Sequence, residues 1–396
     1  MKSGTLICVA VTLLLCALTP SASASNQWYV DGRHGSDHND CESRHHACKT
    51  ISHAISLTSP GDSIFVAPAI YRESLTILFD LKIVGSGAAT TIIDGGGVNT
   101  QVIVVGSNNP TIQVRLSGIT VRNGAGQEDG GGIYNCVGTL TITDSTISEN
   151  RISQGNGAFG YGAGIYNCPT STLTIINTTI LRNSALIGGA ICNGGALTIR
   201  NSTFMLNVAR QGMGGAIANY GVLVIINSTF SRNSSGSFGF AGGILNGGLF
   251  QSPGTLLISN STFGGNTAGY GGGGIFNIAG SVALFENGIV ANNQGGNCLG
   301  MMTSNGFNLS SDDSCGFDGP GDLNNMDPKL APLQFYGGPT KTMALLPGSP
   351  AIDAGNPNGC TDDQGHLLKT DQRGMPRPDK EDSAGCDMGA YERQED

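Results

Sequence analysis

GGAICNGGALTIRNSTFMLN, residues 188–207, is answered 26 residues further on by GGAIANYGVLVIINSTFSRN, residues 214–233. The glycines, the Ile, the Asn and the Ser-Thr-Phe keep their places. The same turn can be followed through GGGIYN (130–135), GAGIYN (162–167), AGGILN (241–246) and GGGGIFN (271–277). Its closing Asn falls at 135, 167, 193, 219, 246 and 277, in steps of 32, 26, 26, 27 and 31. A short alternating run follows each turn (LTIT, LTII, LTIR, LVII, LLIS, VALF). A third block then closes the unit: DSTISEN, NTTILRN, NSTFMLN, NSTFSRN, NSTFGGN and the weaker NGIVANN.

Each unit therefore holds three short β-type pieces separated by Gly and Asn. The runs are β-branched and alternate with period 2, and no 3.6-residue pattern passes through them. A fixed period of this length is the mark of a solenoid. Three strands per unit predict a coil whose strands pair with their copies above and below, about 4.8 Å apart, in parallel sheets. The longer steps read as coils with one enlarged turn, at Arg151 to Tyr161 and Ser234 to Phe240.

On that reading Ile133, Ile165, Ile191, Ile217, Ile244 and Ile275 stack as an inward aliphatic column. Phe204, Phe230 and Phe263 form an aromatic column above Ile147 and Ile180. Asn177, Asn201, Asn227 and Asn260 form a ladder at a turn, because Asn tolerates left-handed backbone and its amide can bond to its copy in the next coil. These four Asn also open N-x-S/T sequons, which the coil period explains without glycosylation.

The chain has 396 residues, a formal charge of −9 and 39% hydrophobic content. An acidic balance argues against a nucleic-acid partner. Residues 1–24 have the form of a secretory signal peptide, with Lys2, an apolar run from Leu6 to Leu18, and the small residues Ala22-Ser23-Ala24. No second apolar segment of membrane length follows. The mature chain is expected outside the cytoplasm, secreted or at the cell surface, and monomeric.

Export makes disulfides the default for the remaining cysteines. Cys136 and Cys168 both follow the repeat Asn and stack in adjacent coils. Cys41 pairs with Cys48, Cys298 closes a loop with Cys315, and Cys360 pairs with Cys386. Cys192 precedes its Asn, points elsewhere and is the candidate free thiol.

Residues 41–60 read as an amphipathic helix, apolar at Ile51, Ala54, Ile55 and Leu57, covering the first coil. His34, His38, His45, His46 and His53 lie here with two Cys, but at no zinc-motif spacing. The organisation expected is a signal peptide (1–24), an N-terminal cap (25–60), a parallel β-helix (61–296) and an irregular C-terminal cap (297–396).

WYVDGRHGSDHNDC, CKTISHAI and GDSIFVAPAIYRE at the start, with the coils that follow, resemble the secreted right-handed parallel β-helix proteins of the pectin-lyase-like superfamily. The Gly-Gly-Ala-Ile and Phe-x-x-Asn pairing is similar to the repeats of polymorphic outer-membrane proteins, without the autotransporter barrel of that family. The last 70 or so residues, with LQFYGGPTKTMALLPGSPAIDAG, DQRGMPRP and CDMGAYE, resemble the choice-of-anchor Q module, which implies association with a surface. No anchoring signal follows the module here.

The superfamily resemblance implies polysaccharide lyase or hydrolase chemistry. That chemistry needs paired carboxylates or a base beside a calcium site. Between residues 130 and 300 the only carboxylates are Asp144, Glu149 and Glu286, and no nucleophile elbow is present. Glu73 and Asp94 are early-coil candidates without a partner acid, so no catalytic residue is assigned. Asp312, Asp313, Asp318 and Asp322 form an acidic loop as a weak calcium candidate; no other cofactor is implied. Asp353, Asp371, Arg373, Arg377 and Asp387 read as an ion-pair and turn network. Phe159, Tyr161, Phe238, Phe240 and Tyr270 on the enlarged turns suit sugar stacking. The reading is a non-catalytic binding or adhesion protein, with a lyase or hydrolase, or a passive envelope component, as alternatives.

Overall fold

The computed structural model describes residues 25–97, 101–106, 111–126, 129–152, 160–248, 252–379 and 385–394. The signal-peptide segment and Phe159 lie outside the described residues.

The 26-residue unit winds once around. Ile191–Asn193, Ala196–Arg200 and Thr203–Met205 are its three strands. Each pairs in parallel with its copy: Ile191 with Ile217, Leu197 with Leu223, Phe204 with Phe230. Stacking these strands gives sheets of nine, eleven and ten strands among the described residues. A fourth sheet of four strands, which includes Val208–Met213, runs along one corner of the middle coils.

The Gly-rich turn has a steric cause. Gly214 has φ +68°, which favours glycine. A Cβ on Gly215 would stand 2.2 Å from the carbonyl oxygen of Gly242 in the next coil, so the coils approach closely only without one.

The inward column runs Ile103, Ile133, Ile165, Ile191, Ile217, Ile244, Ile275, Cys298 in one register. Phe204, Phe230 and Phe263 stack with centroids 4.5 and 4.7 Å apart and ring planes within 8° and 11°. Each such side chain is fully buried and contributes about 2–3 kcal/mol by removal from water.

Asn177, Asn201, Asn227 and Asn260 have φ of 50°, 51°, 47° and 49°, a left-handed turn. Their amides form the expected column only in part: Asn287, the next copy of the position, donates to Asn260 at 2.8 Å, but among the described residues no such bond joins Asn201 or Asn227 to its copies. Asn177 donates to Asp144, while Asn227 and Asn260 point outward and donate to the carbonyls of Thr370 and Thr361. The continuous amide ladders lie at two other corners. One is Asn135→Asn167→Asn193→Asn219→Asn246→Asn277, each Nδ2 donating to the next Oδ1 at 2.7–2.8 Å. The other is Asn150→Asn183→Asn207→Asn233→Asn266→Asn293→Asn297 at 2.9–3.1 Å. Burial explains them, since a polar turn facing the core must satisfy its groups within the protein. Asn135 Oδ1 is unpartnered, because the preceding coil offers Val105 at that rung.

The helix is shorter than the expected span and covers only Ile51–Leu57. Cys41–Cys48 closes a tight loop in front of it, and Glu73 accepts hydrogen bonds from the Ile51 and Ser52 backbone at its start. The stack also runs past residue 296, since Cys298–Leu299, Thr303–Ser304 and Leu309–Ser310 each add to a sheet. Residues 329–379 and 385–394 turn back along the flank of the ten-stranded sheet. Thr340 donates to the Asn201 carbonyl, Thr229 to Gln372, and the Ala390 N–H to Thr262. The bonds Cys136–Cys168, Cys298–Cys315 and Cys360–Cys386 complete the set, and Cys192 is free and buried.

Candidate functional site

Strand alternation points every second residue outward. On the nine-stranded sheet the outward row is Thr76, Val104, Tyr134, Tyr166, Cys192, Ala218, Leu245, Phe276 and Leu299. It carries no charge. Tyr134 and Tyr166 stack with centroids 5.6 Å apart and planes within 11°. Cys192 and Ala218 make a dip between Tyr166 and Leu245. Tyr220 packs into it against Ala218 and Leu245. Burial lifts the Tyr166 hydroxyl to about 12, with Cys192 and Asp129 adding to the shift. Burial likewise raises Tyr220 and Tyr161, whose hydroxyls both sense Cys192.

The enlarged turns continue the face. Phe238 and Tyr270 meet at 6.0 Å, Tyr270 and Phe240 at 5.5 Å, and Phe240 and Phe276 at 5.3 Å, all tilted. Phe238 is 79% and Tyr270 61% exposed. The result is two groups of rings on this face, Tyr134 with Tyr166 and Phe238, Phe240 and Tyr270 with Phe276, separated on the row by the buried Cys192, Ala218 and Leu245.

The acids fall elsewhere. Glu286 ends a strand of the eleven-stranded sheet, while Asp362 and Asp363 come from the returning C-terminal segment. All three line one groove of about 220 Å³ with Leu257, Leu284 and Ser259. Arg200 lies 3.6 Å from Asp362 and 3.4 Å from Asp363. Sequence counting did not join these groups, because more than seventy residues separate Glu286 from Asp362.

The other acids hold structure. Asp94 is buried against Arg122 at 2.8 Å and accepts from Asn123 and the Gly96 N–H. Its burial alone would raise its pKa, but these bonds hold it below the usual range. Asp312 accepts from Ser314, Ser310 and the Asn297 N–H, and Asp322 from Asn308 and the Gly319 N–H. Asp312 and Asp322 are thus turn caps. Glu149 faces Arg182 at 3.8 Å on the surface.

Among the described residues, three potential metal-ligand atoms lie within 4.8 Å of one another only at Cys41, Cys48 and His53. Both of those sulfurs are in a disulfide, which leaves no thiolate to bind zinc. Among the described residues, no three of Asp312, Asp313, Asp318 and Asp322 bring carboxylate oxygens within 4.8 Å of one another.

In the C-terminal segment Arg377 pairs with Glu392 and Arg373 with Asp371, each at 2.7 Å and inaccessible to solvent. Arg373 also lies 3.7 Å from the centre of the Tyr391 ring. Asp387 accepts from the Asp353 N–H. These groups face the flank of the coil, and of them Arg377 borders a cleft of about 390 Å³ with Pro357, Leu367 and Lys369.

No family model matches the chain, and no curated protein matches it in sequence. Among solved structures it is similar to pectate lyase Pel9A, with a TM-score of 0.59 and 14% identity over 94% of this chain and 97% of that one. A pectin methylesterase mutant in complex with a hexasaccharide aligns at a TM-score of 0.37 and 12% identity, covering 76% of this chain and 82% of that one. No helix among the described residues is long and apolar enough to cross a membrane. The coil, the three parallel sheets and the likeness to Pel9A together give the chain the pectin-lyase-like right-handed parallel β-helix fold.

Proposed function

We propose that this is an exported, non-catalytic, monomeric β-helix protein that binds an extended polysaccharide along the outer face of its nine-stranded sheet. The observation that carries the reading is the two groups of rings on one face, Tyr134 with Tyr166 and Phe238, Phe240 and Tyr270 with Phe276, joined by an uncharged row. Aromatic rings offer large apolar faces at low entropic cost, and exposed apolar patches of this kind mark binding surfaces. Solenoids present such surfaces to extended partners. The signal-peptide reading of residues 1–24, the four disulfides and the likeness of the last 70 or so residues to the choice-of-anchor Q module support a surface or extracellular setting.

The test is retention of the 25–396 protein in native gels containing pectin, polygalacturonate, alginate or a neutral glucan. The same polymers are assayed for new reducing and unsaturated ends. Retention without cleavage, weakened about tenfold by the double change Tyr134→Ala and Tyr166→Ala, is expected. Cleavage would return the protein to the lyase or hydrolase class. No retention in any gel would favour a passive envelope role.

A further inference from the structure

Consider the groove that closes over Glu286. Its floor is made by neighbouring rungs of the eleven-stranded sheet. Leu257 pairs with Leu284, and Ser259 pairs with Glu286. Asn305 follows on the next rung, its N–H bonded to the Phe285 carbonyl. The wall is the C-terminal segment, with Asp362 and Asp363.

Three carboxylates against one Arg200 leave the groove at about two negative charges. Glu286 Oε1 has neighbours in Thr361 and Asn356, at 3.3 and 3.5 Å. No partner is found for Oε2 among the described residues. Ser259 is 5% exposed, lines this groove, and its Oγ has no hydrogen-bond partner. A buried hydroxyl left unpaired is costly, so a donor that reaches it is favoured.

The carboxylates do not gather closely enough for one metal ion, since no three of their oxygens lie within 4.8 Å of one another. The open acceptors at Glu286 and Ser259 instead suit a group with several N–H donors on one charged nitrogen. The two leucines beside them suit an aliphatic stem. An ammonium group carries three donors on such a stem.

We propose that this groove binds an alkylammonium group, with the nitrogen between Glu286 and Ser259 and the stem along Leu257 and Leu284. Two sources share this chemistry, a free aliphatic diamine and a lysine side chain.

The test is titration calorimetry on the 25–396 protein at low salt, with 1,5-diaminopentane and with Nα-acetyl-lysine methylamide as probes. Saturable one-to-one binding is expected. It should weaken at least tenfold in Glu286→Gln, weaken about threefold in Ser259→Ala, and be lost for 1-pentanol, which lacks the charge. Tighter diamine binding names a free polyamine as the source, and tighter lysine-amide binding names a side chain. Glu286→Gln keeps the size of the side chain while removing the charge and turning one acceptor oxygen into a donor NH2, and Ser259→Ala gives a second readout. No saturable heat, unchanged affinity in both variants, or stoichiometric displacement of the probe by calcium would each overturn the assignment.

Discussion

Asn207→Ala should be among the costliest single changes that leave the apolar core intact. Asn207 is inaccessible to solvent in the middle of the second amide ladder. Its Oδ1 accepts the Asn183 N–H at 3.0 Å and the Asn183 amide at 3.1 Å, and its Nδ2 donates to the Ile180 carbonyl at 2.9 Å. Alanine takes this partner from the buried Asn183 N–H and Ile180 carbonyl, while the Asn183 amide keeps the Ile147 carbonyl at 3.0 Å. Asn233 Oδ1 keeps the backbone N–H of residue 207 at 3.1 Å. An orphaned buried polar group costs about 1–3 kcal/mol, so two at the lower end give about 2–3 kcal/mol. The control is Asn177→Gly, which keeps the left-handed turn and loses one exposed amide bond, expected to cost below about 1 kcal/mol. Urea unfolding followed by far-ultraviolet circular dichroism measures both. The slope is checked as well, because a weakened rung in a solenoid can split the transition. If Asn207→Ala cost no more than the control, water would be replacing the amide, and the ladder would not be what holds that corner.

Two further outcomes follow from buried titratable groups. Burial, with Asp387 adding to it, raises Glu392 from 4.5 to about 7 despite Arg377 beside it. A raised folded value means that the stability is fully present below about 4.5 and is lost as pH climbs through about 7. That is about 3 kcal/mol, and it should vanish from a pH series of unfolding curves in Glu392→Gln; an unchanged slope would refute it. Cys192 is buried and its thiol is pushed up by burial and then by Asp129. The native 25–396 protein should therefore show no reactive thiol to a disulfide reagent, and one after unfolding without reductant. Rapid native labelling would place the sulfur at the surface.

The coil was legible because its period repeats in every unit. Ile217 and Phe230 occupy the places that a 26-residue step assigns them. The amide ladders were harder to see. Asn219 and Asn233 stand out in sequence only as the ends of blocks, while Asn227 sits in the more visible Asn-Ser-Thr. Which of three Asn per coil turns inward depends on backbone direction at each corner, and composition does not carry that. The course of residues 329–379 and 385–394 was legible only in the Cys360–Cys386 bond and the Asp371–Arg373 pair. Contacts such as Thr229 with Gln372 join positions more than a hundred residues apart, and they follow from packing on a flank rather than from any repeat. The groove over Glu286 was missed for the same reason.

That returning segment has a consequence for how the molecule can change over evolutionary time. A solenoid of interchangeable 26-residue coils could gain or lose a coil by duplication or deletion, with every ladder still in register. Here the flank touches Asn201, Asn227, Asn260 and Asn287, on four successive coils, each through a different residue. The segment acts as a ruler laid against the stack. A coil inserted between residues 200 and 290 would move the upper marks by about 4.8 Å and break the match. Coils added before residue 200 would leave it untouched. Variation in length should therefore gather in the N-terminal half of the stack.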